Sequence, residues 1–233
     1  MQKTIYFNTK DLPTQLHITV KTPSGANVRI VGYDPEKPNT VYFFLEQKIR
    51  LKTLTLPMPI SPKKLAVSIS SQGEFSIHHA KIGMIKPSKK MLRLTGQTKN
   101  FIRHAFDFAE SCGYLEQGNT YSNDAGEYPI HYYPTLQKTP ARIHKETGHI
   151  QVSAEDFRRY TIPMRMFVLL HEWMHWSKST GSEIKCDLEA ARVFLGLGFP
   201  KYEAMVAVTE VLHDNHDHIT RVKALQKFIR EYN

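Results

Sequence analysis

His171-Glu172-Trp173-Met174-His175 constrains this chain more than any other segment, because it places an H-E-x-x-H pattern inside an apolar run. Histidines at i and i+4 stand one above the other on a helical face, so both imidazoles can reach one metal ion. The glutamate between them is then positioned to hold and deprotonate a metal-activated water. Thr161-Ile162-Pro163 reads as a helix start, with a capping residue followed by a proline tolerated in the first turn. Met164, Phe167, Val168, Leu170, Met174 and the two tryptophans make the predicted helix apolar nearly all round, as in a helix buried within a domain. Polar side chains are costly there unless paired or metal-bound. Between Val168 and Trp176 the polar exceptions are His171, Glu172 and His175.

A mononuclear Zn²⁺ site needs a third protein ligand and a position left open. Ser179-Thr180-Gly181 reads as a helix stop, and Ser182 can cap a second helix beginning at Glu183. Its apolar stripe is Ile184, Leu188, Ala191 and Leu195, while Glu183 and Asp187 lie one turn apart on an adjoining face. A tight connection folds that helix back onto the first and carries both carboxylates toward the histidines. Glu183 is expected as third ligand and Asp187 as the acceptor that orients a histidine. The reverse assignment fits the same spacing. Glu189 is expected to face solvent, and Cys186 to pack between the helices.

Helix H-E-x-x-H followed by E-x-x-x-D, with Ala190 and Ala191 beyond it, resembles the gluzincin group of zinc metallopeptidases. The resemblance covers about residues 139–230 and implies Glu183 as ligand, Asp187 as support and peptide-bond hydrolysis as the reaction class. Cys186 stands where an alanine is usual, and the gap from His175 to Glu183 is short. Phe194 through Pro200 also resembles a set of phage-encoded and bacterial H-E-x-x-H proteins.

Ala141 through Val152 reads as a β-hairpin about Gly148, which either offers a strand to an extended peptide or closes a small sheet. His213-Asp214-Asn215-His216-Asp217-His218 reads as a capping loop before a last helix with the stripe Ile219, Val222, Leu225 and Ile229. A hydrogen-bond donor near the zinc, His216 or Arg221, and a second metal site are the alternatives there. Residues 117–129 read as a long loop able to border a cleft. Tyr128, Tyr132, Tyr133 and Tyr160 are candidate oxyanion donors, for each of which packing is the plainer reading.

The front of the chain differs. Leu16-Ile18-Val20, Val28-Ile30, Val41–Leu45, Ile49-Leu51, Leu65-Val67-Ile69 and Phe75-Ile77 read as six or seven short strands. Turn signals such as Pro23-Ser24-Gly25 separate them, which predicts an antiparallel, β-sandwich-like module. Lys86-Pro87-Ser88-Lys89-Lys90 reads as a linker, and Thr98–Cys112 as an amphipathic helix. The expected fold class is therefore α+β: a docking or binding module over residues 1–86, then a mostly helical zincin-like domain with a small sheet over residues 91–233.

Cys112 and Cys186 are too few for a disulfide framework. The start of the chain has no apolar signal core, and no run is long enough for a bilayer, so cytoplasmic localisation without membrane contact is expected. The net charge of +9 suits an acidic partner surface. Its lysines and arginines follow no nucleic-acid motif, so nucleic acid is not an expected partner. Two functions remain: a zinc hydrolase acting on peptide or protein substrate, or a structural or assembly protein, as in a phage virion. The second would keep the zinc fold for stability and bind other subunits through the β-module.

Overall fold

A computed structural model describes residues 1–85, 94–211 and 218–232. The architecture is α+β, an antiparallel sheet module followed by a largely helical part with its own sheet. The chain divides into two compact units, Met1–Lys89 and Lys90–Asn233. The short linker expected at 86–90 falls outside the described residues. Among the described residues no helix is long and apolar enough to cross a membrane.

The first unit has fewer and longer strands than expected. β1 (Gln2–Asn8), β2 (Thr14–Tyr33), β3 (Val41–Met58), β4 (Lys64–Ser71) and β5 (Ser76–Met84) form one antiparallel sheet. β2 and β3 each absorb two of the predicted short strands. Pro23-Ser24-Gly25 makes a register shift between Lys21 and Ala26 rather than a chain reversal. Two features let the ribbon continue past it. Gly25 takes a φ of +78°, and the buried Thr22 hydroxyl donates to the Ile49 carbonyl while accepting from Ala26 N–H.

Beyond the bulge β2 exchanges partners, pairing β5 along Thr14–Lys21 and β4 along Val28–Tyr33. Alternation puts Leu16, Ile18, Val20, Val28 and Ile30 on one buried face, joined by Leu54, Leu56, Leu65, Val67 and Ile69. Gly32 is required in that core, because a Cβ there would lie 2.3 Å from the Phe43 ring. β1 closes one edge on β4 and was not anticipated, since Met1–Asn8 mixes polar and apolar residues without a clear period.

In the second unit, α1 (Gly96–Ser111) is capped by Thr95 and buries Phe101, Ile102, Ala105, Phe108 and Ala109 as its periodicity requires. Short strands β6 (Thr120–Tyr121), β7 (Ile130–Tyr133), β8 (Ala141–Ile143) and β9 (Ile150–Ser153) form a sheet in the order β6-β7-β9-β8. This leaves β8 at an edge. After α2 (Ala154–Arg159) comes α3 (Ile162–Ser177), with the Thr161 hydroxyl accepting from Met164 N–H and Pro163 in the first turn.

Phe167 through Leu170 are wholly buried, so α3 is the central helix. It packs on α1, on β8 and on α4 (Glu183–Gly196). α5 (Lys201–Val206) runs into a π-helical turn at Ala207–Val211, and α6 (His218–Glu231) packs on α4. The expected stripe of α6 is corrected in part. Leu225 is buried, but Ile219 is 69% exposed, and the other fully buried side chain of the helix is Arg221. Its charge is neutralised by a carboxylate on α4, so an arginine takes the core-facing position.

Candidate metal centre

The α3–α4 connection brings three donors together. Trp176 O and His175 O accept the N–H groups of Ser179 and Thr180, Ser179 turns the chain at a φ of +45°, and Ser182 caps α4 through Lys185 N–H. Glu183 thus enters at the first turn of α4, facing the last turns of α3. Nε2 of His171 and Nε2 of His175 lie 3.2 Å apart. Glu183 Oε2 is 3.1 Å from the first and Oε1 is 3.3 Å from the second. His171, His175 and Glu183 form the one group among the described residues whose donor atoms converge in this way.

The separations fit a metal ion. Bonds of about 2.0–2.1 Å to a tetrahedral ion put neighbouring donor atoms roughly 3.3–3.4 Å apart. The far side of each ring points the same way. His175 Nδ1 is 2.9 Å from the Thr180 carbonyl oxygen, to which an N–H donates. His171 Nδ1 is 2.9 Å from Asp187 Oδ1, off the straight line of a good hydrogen bond, so that contact is chiefly electrostatic. With both Nδ1 atoms facing acceptors, both Nε2 lone pairs and a carboxylate converge on one point. Only protons or a cation relieve that crowding.

Without an ion the cluster holds protons. Burial alone would lower the His171 pKa, but Asp187 and Glu183 outweigh it and raise it to about 9. The Cys186 sulfur and the Glu183 carboxylate push His175 up to about 11. Burial opposes ionisation of Glu183, yet the two imidazoles hold it well below the usual carboxylate range. Asp187 is likewise depressed despite its burial, by Arg221 and His171.

Asp187 does not enter the donor triangle. It stands behind His171 and takes both arms of Arg221, Nε to Oδ2 at 2.7 Å and Nη2 to Oδ1 at 2.9 Å. Arg221 Nη1 also lies 3.6 Å from Glu183 Oε2. This pairing joins residues 34 positions apart, and sequence reasoning named Arg221 without its partner. The available signal was a lone arginine in the apolar stripe of an amphipathic helix.

Glu172 lies beside the triangle, 7% exposed and facing the same cleft. Burial raises its pKa, partly offset by the two histidines and by the Ile143 N–H, which donates to it. That strand contact was also missed. The bonds Ser153 N–H to Pro140 O and His144 N–H to His149 O fix which residues of β8 face β9. By alternation, Ala141 and Ile143 turn their amides and carbonyls to the free edge. Gly148, at φ +72°, lets the hairpin lie close under α3, since a Cβ there would sit 3.0 Å from the Trp176 ring.

The cleft encloses about 440 Å³ and is lined by the triangle, Glu172, Arg221, Val211, the chain from Lys138 to Ile143, and Lys145. The 117–129 segment does not line it; residues 121–125 border a separate depression with α1, beside Asn100 and His104. None of Tyr128, Tyr132, Tyr133 and Tyr160 lines it either. Tyr132 is buried and donates to the Cys112 carbonyl. Glu189 lies near Arg192, and Cys186 is fully buried behind the triangle. His213 through Asp217, including His216, fall outside the described residues. Compared with known proteins, the chain matches no family model and no curated protein.

Proposed function

We propose that the second unit is a zinc-dependent hydrolase that cleaves peptide bonds, with His171, His175 and Glu183 holding the ion and Glu172 moving the proton. The observation that carries this reading is the donor triangle with a buried carboxyl beside it in one open cleft. Two imidazoles and a carboxylate form a donor set that suits Zn²⁺ and leaves a position free. Bound there, Zn²⁺ supplies a Lewis acid for the scissile carbonyl and makes water acidic enough to attack near neutral pH.

The chain's own residues do the rest. Glu172 is kept from easy ionisation by burial, which brings its basicity toward the working range of a general base. It takes a proton from water in the cleft and returns it to the leaving amine. Ile143 N–H fixes the direction of that carboxylate. Asp187, Arg221 and the Thr180 carbonyl fix the two imidazoles. The outer edge of β8 offers the Ala141 N–H to an extended peptide by strand addition, beside a carbonyl that already accepts from the Thr139 hydroxyl.

The test is digestion of a broad peptide library by the zinc-loaded chain beside Glu172→Gln. The variant should keep its metal and fold while hydrolysis falls by about 10²–10⁴-fold. A native chain that is fully loaded yet cleaves nothing would remove the enzyme reading and leave a metal-stabilised structural protein.

A further inference from the structure

The wall of the cleft carries charge that the chemistry above does not use. Four cationic side chains line it, Lys138, Arg142, Lys145 and Arg221, against two carboxylates, Glu172 and Glu183. Both carboxylates belong to the metal centre, and Arg221 is committed to Asp187 and Glu183. That leaves three cations along one side and, among the described lining residues, no acid to balance them. Arg142 donates through Nε to Gln151 Oε1 at 2.6 Å, a neutral partner that orients the guanidinium without cancelling its charge. Among the described residues, neither Lys138 nor Lys145 has a carboxylate partner.

Their placement follows the edge strand. Lys138 precedes β8 at a turn with φ +62°, Arg142 sits at its middle, and Lys145 follows it. Lys145 leans toward the centre: its Nζ lies 3.8 Å from where a Cβ on Gly181 would be, in the turn that delivers Glu183. A peptide laid along β8 would therefore pass three positive charges beside the reacting centre. A cleft lined by one sign of charge concentrates ligands of the other sign and repels its own.

Resting on the hydrolase reading, we propose that this cleft selects acidic polypeptide, with Lys138, Arg142 and Lys145 as its specificity-determining residues. Aspartate or glutamate side chains on either side of the scissile bond are recognised by these three groups, and lysine-rich or arginine-rich segments are excluded.

The probe is a set of fluorescent decapeptides, glutamate-rich, neutral or lysine-rich, titrated by anisotropy against zinc-loaded Glu172→Gln. Binding is then read without turnover. The acidic peptide should bind tightest, and its advantage should shrink as salt rises. Adding Lys138→Ala, Arg142→Ala and Lys145→Ala should weaken acidic-peptide binding by about 5- to 10-fold while leaving the neutral peptide nearly unchanged. The single variants Lys138→Ala and Lys145→Ala guard against misfolding of the combined one and should each show part of the loss.

Equal binding of the three peptides, or an acidic preference that survives all three substitutions, overturns the proposal. The two readings fail separately. Library cleavage without acidic preference refutes the selectivity and keeps the hydrolase. Selective binding of acidic peptides by a chain that hydrolyses nothing refutes the hydrolase and keeps the acidic-peptide site.

Discussion

Arg221 on α6 grips Asp187 on α4 through two hydrogen bonds of 2.7 and 2.9 Å, and both side chains are 1% exposed. Asp187 in turn faces Nδ1 of His171, so the last helix reaches the donor triangle through this carboxylate as well as through the 3.6 Å approach of Arg221 Nη1 to Glu183. Removing one member of a buried ion pair leaves the other charged and unsolvated, at a cost of roughly 3–5 kcal/mol. Arg221→Ala should lower the urea midpoint accordingly. It should also weaken zinc binding, by about 10–100-fold as is typical of groups that orient a ligand. Unchanged chelator competition in a folded Arg221→Ala protein would show that α6 supports the fold and not the site.

Glu183 and Asp187 are separated by position in the structure, and metal affinity should separate them in solution. Glu183 contributes an oxygen to the donor triangle, whereas Asp187 meets the back of one imidazole and Arg221 and gives no oxygen to the triangle. Glu183→Ala should therefore release zinc at lower chelator concentration than Asp187→Ala. His171→Ala with His175→Ala should abolish stoichiometric binding, read by elemental analysis. Asp187→Ala as the weaker binder of the two carboxylate variants would make Asp187 the ligand.

Much of this centre was legible because its parts are local. The i, i+4 histidines, the Thr161 and Ser182 caps and the turn at Ser179 each depend on neighbours within a few residues. The contacts that complete the site are not local. Ile143 meets Glu172 across 29 positions and Arg221 meets Asp187 across 34, and no periodicity encodes either pairing. The same limit explains the first unit. Alternation located Leu16 through Ile30 on one buried face, but Pro23-Ser24-Gly25 has the composition of a turn. Whether such a segment reverses the chain or bulges it depends on Thr22, Ile49 and the strand alongside.

The protonation of the triangle gives a calorimetric prediction. With His171 near 9 and His175 near 11, both imidazoles are almost fully protonated at pH 7, and a metal must displace those protons. Zinc titrations in buffers of different ionisation enthalpy should show close to two protons released per ion at pH 7. Two ordinary histidines near 6.5 would release only about half a proton together. A value that low would mean that the carboxylates do not hold protons on the pair.

Glu203 on α5 supplies the last test, through the helix that carries the site. It is 2% exposed and accepts from the hydroxyl of Thr161, the residue that caps α3. Burial raises its carboxyl to about 7 from an ordinary 4.5. The folded state therefore holds a proton that the unfolded chain gives up earlier. Below about pH 4.5 both states are protonated, and the group contributes nothing to pH dependence. Between 4.5 and 7 the unfolded chain ionises first, so stability falls as pH rises, by on the order of 3 kcal/mol in total. Above 7 the penalty is constant. Glu203→Gln keeps an acceptor for Thr161 and cannot ionise, so it should be the more stable protein at pH 8 by about that amount and equal to wild type near pH 4.5. Urea midpoints at the two pH values decide it, and parallel stability curves across this window would show that Glu203 stays ionised in the folded chain.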